Sequence, residues 1–253
     1  MGYINFKGIS TEALPGVYVS KMPSHKRAAM RYSEFYVNGR DGALHIENGY
    51  QNIQLSATLV LLDAPAQTRY AVNTWASGKG TLFTSDDPSK GWRARVLSEV
   101  RWDRVVGNYG FYDTATITFD CDPTMYEVNQ ETIDITNDGA DTKKYTVHNP
   151  GDLESYPIIY LNSSTSMLMG HLKITVNGKE ADTNVTVASG SPAWIDGEAG
   201  FCYTGLLRPD GGIPDPGNLK AMTGTYPVLK KGDNEIQIPH GEIIKIYPNW
   251  RWL

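Results

Sequence analysis

The chain has little that points to chemistry or to a membrane. Of its 253 residues only two are cysteine, Cys121 and Cys202, far apart along the chain. A disulfide scaffold needs more of them in a shorter secreted chain. Both read as buried thiols of a protein made in a reducing cytoplasm. The five histidines, His25, His45, His148, His171 and His240, stand singly, with no pair at i, i+2 or i, i+4. Metal ligation needs such clusters, so neither a metal nor a cofactor is expected. The longest aliphatic run, Leu59 to Leu62, is far too short to cross a bilayer. Met1-Gly2-Tyr3-Ile4-Asn5-Phe6-Lys7 has no apolar signal core, and Phe6 stands where myristoylation wants Ser or Thr. No membrane association is expected, and the sequons at Asn162 and Asn184 then carry no sugar.

Positive charge is also scarce. With 23 Lys and Arg against 28 Asp and Glu, the net charge is −5. The nearest thing to a basic patch is Lys21, Lys26, Arg27 and Arg31, which methionines and alanines interrupt. A nucleic-acid binder would carry a denser cluster, so a solvated loop is the better reading.

Catalytic patterns are missing too. Ala188-Ser189-Gly190-Ser191 fits no nucleophile elbow, and Gly78-Lys79-Gly80-Thr81 lacks the spacing of a phosphate loop. The carboxylate pairs Asp86-Asp87-Pro88 and Asp120/Asp122 could suggest a glycosidase, but turn propensity before proline explains each. Six tryptophans raise a carbohydrate-binding reading, with Trp194 the candidate platform; core packing is the plainer account of Trp194, Trp250 and Trp252.

What the chain does have is strand chemistry. It carries 15 tyrosines, 25 glycines and 14 prolines, a balance of strand and turn formers. Period-two alternation dominates. Ala115, Ile117 and Phe119 alternate with Thr114, Thr116, Thr118 and Asp120. Trp92, Ala94 and Val96 alternate with Arg93 and Arg95, and Leu172, Ile174 and Val176 with His171, Lys173 and Thr175. Val185 and Val187, Ile236 and Ile238, and Ile244 and Ile246 continue the pattern. Asn177-Gly178 is a hairpin turn. Gly39-Arg40-Asp41-Gly42 turns between 35–37 and 43–46. Lys231-Gly232-Asp233-Asn234 punctuates the last pair of strands, and 106–110 caps a long hairpin. Asp120-Cys121-Asp122-Pro123 reads as a stop.

One short helix is predicted. Asp63 is its N-cap, Pro65 lies in its first turn, and Gly78 offers a left-handed stop. Ala71, Val72, Trp75 and Ala76 share one face. The segment 131–141 shifts to small and acidic residues and marks a boundary. The expectation is an all-β fold with one short helix: an N-terminal domain, residues 1–133, and a C-terminal domain, residues 134–253.

In order along nearly the whole chain, the strings resemble the distal tail proteins of long-tailed (siphophage) phages. They begin with Phe6-Lys7-Gly8, Val17-Tyr18-Val19 and the Gly39-Arg40-Asp41-Gly42 turn. Trp75 to Leu82 follows, running into Asp86-Asp87-Pro88, with Trp92 to Val96 after it. Phe119-Asp120-Cys121-Asp122-Pro123-Thr124-Met125-Tyr126 closes the first domain. In the second come Asn149-Pro150-Gly151-Asp152, Tyr156-Pro157-Ile158-Ile159, Ile174 to Gly178, Trp194-Ile195-Asp196, Tyr226-Pro227-Val228-Leu229 and the closing Ile246 to Leu253. No single string is specific; the ordered set is.

The resemblance implies a structural virion protein, not an enzyme, from a phage of Gram-positive bacteria such as Bacillus. It implies a hexameric ring at the tail tip, made by a split-barrel or sandwich N-terminal domain, with a galectin-like β-sandwich projecting outward. A β-hairpin, sought among the strands around 95–120, would embrace the neighbouring subunit. The ring would join the tail tube protein to the tail-tip adhesin and leave a channel for DNA, and two rings could pair back to back in solution. Six copies at −5 would carry about −30, which repels passing DNA. The alternative is a carbohydrate-binding module acting through the C-terminal sandwich. The usual galactose-binding set is not visible in 145–253, so the fold is expected without the lectin activity.

Overall fold

The computed structural model describes residues 2–62, 65–107, 110–139, 141–163, 170–186, 191–205 and 215–253. Asp63, the expected N-cap, lies outside them. So do Val187, residues 188–190, Asn108-Tyr109 within the expected hairpin cap, and Ser164 of the first sequon. The chain is all-β with one α-helix among the described residues. It divides into two compact units, residues 1–128 with Leu253, and Asn129–Trp252. Relative to the 133/134 boundary read from the sequence, the division falls earlier. Ile133 and Ile135 already pair with Ile246 and Ile244 in the second unit's sheet.

The first unit holds β1 (Ile4–Phe6), β2 (Ile9–Ser10), β3 (Val17–Lys21), β4 (Met30–Tyr36), β5 (Ala43–Tyr50), β6 (Ile53–Leu62), α1 (Ala66–Trp75), β7 (Lys79–Thr84), β8 (Asp87–Val96), β9 (Trp102–Gly107) and β10 (Gly110–Glu127). Its main antiparallel sheet runs β2-β1-β7-β8-β10-β6-β3, and β9 pairs with the early part of β10. The alternation read from the sequence sets the faces. Leu55, Leu59, Ile117 and Phe119 are fully buried, while Ser56, Thr116 and Gln54 are exposed. On the polar face, hydroxyls pair across the strands, Ser56 with Thr118 at 3.0 Å and Thr58 with Thr116 at 3.3 Å. Phe6, Trp75 and Phe119 pack edge to face under the helix.

Three details differ from expectation. Pro65 is the N-cap of α1, and no side chain caps it. Val72, Trp75 and Ala76 are buried as expected, but Ala71 points to solvent and Thr68 takes its place on the buried face. Gly78 does adopt a positive φ of 75°. The Asp120–Pro123 string does not stop a strand. Strand β10 continues to Glu127 through a bulge, where Cys121 faces Ala94 and Met125 faces Trp92. The bulge releases Pro123 from the ladder, in which it could donate no hydrogen bond.

The second unit is a β-sandwich of two antiparallel sheets. It contains β11 (Ile133–Thr136), β12 (Lys143–Asn149), β13 (Ile158–Ser163), β14 (His171–Val176), β15 (Lys179–Thr186), β16 (Ala193–Asp196), β17 (Phe201–Thr204), β18 (Thr223–Gly224), β19 (Gly232–Ile238) and β20 (Glu242–Tyr247). One sheet runs β11-β20-β13-β16-β17 and the other β12-β19-β14-β15-β18. Ile159, Leu161, Ile244 and Ile246 of the first meet Leu172, Ile174, Ile236 and Ile238 of the second in one core. Asn177-Gly178 makes the β14–β15 turn, with both residues at positive φ. Lys231 precedes β19 rather than separating the last two strands; Pro239–Gly241 does that.

Three buried asparagines fix the loops of this unit. Asn137 donates to the carbonyls of Asp141, Ile238 and Pro239 and accepts from Gly139 N. Asn149 donates to Leu153 and Leu229 and accepts from Gly151 N at 2.8 Å. Asn234 donates to Lys230 and Gly232 and accepts from Lys230 N. Each amide thus satisfies carbonyls that a loop would otherwise leave bare. Gly151 is forced by the same packing, because a Cβ there would lie 2.5 Å from the Arg251 carbonyl oxygen.

Candidate functional site

The scattered residues that could suggest catalysis stay scattered. Asp87 receives Ser89 N and Oγ in the β7–β8 turn, and the Ser89 hydroxyl holds its carboxyl below the usual range. Asp120 pairs with Arg95 at 3.0 Å. His148 meets Asp233 at 2.6 Å and His171 meets Asp182 at 3.0 Å, both at the surface, while His25 lies against Trp92. His45 packs on Tyr32, and His240 contacts the Gly139 carbonyl. Among the described residues no three metal-ligating side chains converge, and no helix is long and apolar enough to cross a membrane. Burial pushes the Cys121 thiol up to about 12 and the Cys202 thiol to about 11, so neither is a ready nucleophile.

Trp194 cannot serve as an open sugar platform as it stands. It is 7% exposed. Tyr203 stacks against one side of it, Tyr160 meets it edge-on, and its indole N–H donates to the Gly205 carbonyl at 2.9 Å. Stacking on a sugar requires a free ring face, and both neighbours are protein.

Two buried carboxylates had no signature in the sequence. Asp113 lies between Arg69 of α1 and Arg104 of β9, with both Nε atoms at 3.0 Å. Hydrogen bonds, first from Arg104 and then from Arg69, hold its carboxyl below the usual range despite burial. Trp102 Nε1 donates to Asn73 Oδ1, a second tie between β9 and the helix. Glu242 is 2% exposed; one oxygen accepts from Lys173 N at the β14 bulge, and the other has no partner among the described residues. Desolvation raises its carboxyl to about 8.

The feature that asks for a partner is the β4–β5 hairpin. It forms a sheet of its own, apart from the main one. Phe35 faces Leu44 and Ser33 faces Ile46, so period two puts Phe35, Val37, Leu44 and Ile46 on one side. Phe35 is 50% exposed, Ile46 54%, and Tyr36 on the other side 77%. An isolated two-stranded hairpin is marginal in water, and this arm leaves its apolar side uncovered. The strands around 95–120, where the embracing hairpin was sought, do form a hairpin, β9 with β10. Yet β10 is central to the main sheet, paired along β6 from Tyr112 to Cys121. Among its described apolar residues, Val106 and Phe111, near its turn, are the most exposed. The sequence signal for the arm was complete, because both strands and their turn were legible. Its separation from the sheet was not.

The fold so defined is two all-β units with an apolar arm on the first. Solved structures are similar to the chain in overall fold. The chain superposes on the crystal structure of SPP1 Dit, described as a paradigm of the hub adsorption apparatus in phages infecting Gram-positive bacteria. The TM-score is 0.67 at 14% identity, over 100% of both chains. It also matches a chain of the phage p2 baseplate in its activated conformation, with TM-score 0.51 and 10% identity over 97% of this chain and 96% of that one. No protein-family model and no curated protein matches the sequence.

Proposed function

We propose that this chain is a structural hub of a phage tail tip or baseplate, not an enzyme. Six copies form a ring through the first unit, the β4–β5 arm grips the neighbouring copy, and the second unit is a galectin-like sandwich that projects outward. The ring joins the tail tube to the tail-tip adsorption apparatus and leaves a channel for DNA. The protein is made in the cytoplasm of a Gram-positive host and ends in the virion.

The observation that carries this reading is the arm with its bare apolar side. The whole-length likeness in fold to SPP1 Dit supports it. Head-to-tail contacts that close give a ring, and an arm reaching one neighbour makes such a contact. Four half-exposed apolar side chains, at about 1 kcal/mol each on burial, supply roughly 4 kcal/mol per arm. Light scattering on a sizing column, with negative-stain images of the peak, tests the proposal. Six-fold rings, single or back to back, are the expected result. A wild-type chain that stays monomeric at high concentration overturns self-assembly through the arm. The glycan-binding alternative has no support from the enclosed Trp194.

A further inference from the structure

The sequence contains three Asn-Gly steps, Asn38-Gly39, Asn48-Gly49 and Asn177-Gly178. Such a step is chemically labile. The glycine amide nitrogen can attack the asparagine Cγ, since no side chain shields it. An N–C bond forms, ammonia leaves, and a five-membered succinimide closes. Water then opens either carbonyl, giving aspartate or isoaspartate. One water is consumed and one ammonia released, with no oxidant or enzyme. The reaction requires the Asn side chain to swing onto the following nitrogen, so hydrogen bonds that hold the amide slow it.

The three sites differ in that hold. At Asn177 the side-chain N–H donates to Asn234 Oδ1 at 2.8 Å, the side-chain oxygen accepts from Glu235 N at 3.1 Å, and the backbone N–H donates to Glu235 O. At Asn48, within β5, the side chain donates to Ser33 Oγ at 2.7 Å and the carbonyl accepts from Arg31 Nη2 at 3.0 Å. Asn38 and Gly39 sit at the tip of the arm, both exposed, in a turn closed only by Arg40 N to Val37 O at 3.1 Å. That bond leaves the Gly39 nitrogen free, and no hydrogen bond holds the Asn38 side chain among the described residues.

We infer that Asn38-Gly39 is a site of spontaneous deamidation and backbone isomerisation, while the other two steps are protected by the fold. The product places a new carboxylate beside Asp41 at the arm tip. In the iso form it also lengthens the main chain there by one methylene. The inference stands on the arm's geometry and does not depend on the hub reading.

The test is incubation of the purified full chain at mildly alkaline pH, followed by tryptic digestion and mass spectrometry. A parallel sample is kept unfolded in urea, where all three steps are bare. The Tyr32–Arg40 peptide should gain deamidated mass at the same rate folded or unfolded. Each hydrogen bond to be broken slows the reaction about fivefold, so folding should slow Asn48 about fivefold and Asn177 about 25-fold or more. Asn38→Gln should remove the conversion from that peptide. Protection of Asn38 to the level of Asn177, in rings or in free chains alike, overturns the inference. So does equal conversion of all three sites in the folded chain.

Discussion

Replacing Glu242 by glutamine should stabilise the second unit, and by an amount that depends on pH. The carboxyl is 2% exposed, and burial raises it from 4.5 to about 8. Between those values the folded chain keeps the proton and the unfolded chain has lost it. The unfolded state binds fewer protons there, so stability falls as pH rises through the window and levels off above about 8. At about 1.4 kcal/mol per pH unit, the wild type should lose about 4 kcal/mol between pH 5 and pH 8 from this group alone. Glutamine keeps the oxygen that accepts from Lys173 N and has no proton to lose. Near pH 5 the two proteins should unfold together. At pH 8 the variant's urea midpoint, followed by fluorescence of Trp194 and Trp250, should lie about 2 M higher for a slope near 2 kcal/mol/M. Parallel pH profiles for variant and wild type would refute the argument, because Glu242 would then be ionised in the folded chain.

Other consequences are open to direct measurement. Phe35→Asp with Ile46→Asp should abolish rings on a sizing column while circular dichroism stays unchanged; intact rings would remove the arm from the contact. Asp113→Asn should destabilise the first unit by about 2 kcal/mol at neutral pH, since it weakens charge-assisted bonds to Arg69 and Arg104. Its folded carboxyl lies below the ordinary value, so the difference from wild type should vanish as acid protonates it. Asn234→Ala should cost the second unit about 2–3 kcal/mol in urea unfolding, because the Lys230 and Gly232 carbonyls lose their donor. Cys121 and Cys202 should react with a thiol reagent only after denaturant is added.

Much of the fold was legible because period-two burial leaves a trace in composition. Ala115, Ile117 and Phe119, or Leu172, Ile174 and Val176, name their own buried face. Turns were equally legible where a residue type is required, as at Asn177-Gly178. Position along a sheet was not. Phe35 and Leu44 alternate like core residues, and nothing local says that no second layer covers them. The stop read at Pro123 failed because a bulge can carry a proline through a strand. The buried Asn137, Asn149 and Asn234 look like ordinary loop residues until their carbonyl partners, up to 102 residues away, are in place. Asp113 and Glu242 were invisible for the same reason, since a carboxylate's role depends on what surrounds it.

The three asparagines give the second unit a distinctive response to its surroundings. An amide has no charge for salt to screen and no proton for acid to add. The loops that Asn137, Asn149 and Asn234 hold should therefore keep one geometry from fresh water to brine. In the first unit, helix α1 is tied to β9 by an Arg–Asp–Arg bridge, which senses both ionic strength and acidity. The tie between α1 and β9 is thus one the medium can loosen, and the three amide ties in the second unit are ones it cannot.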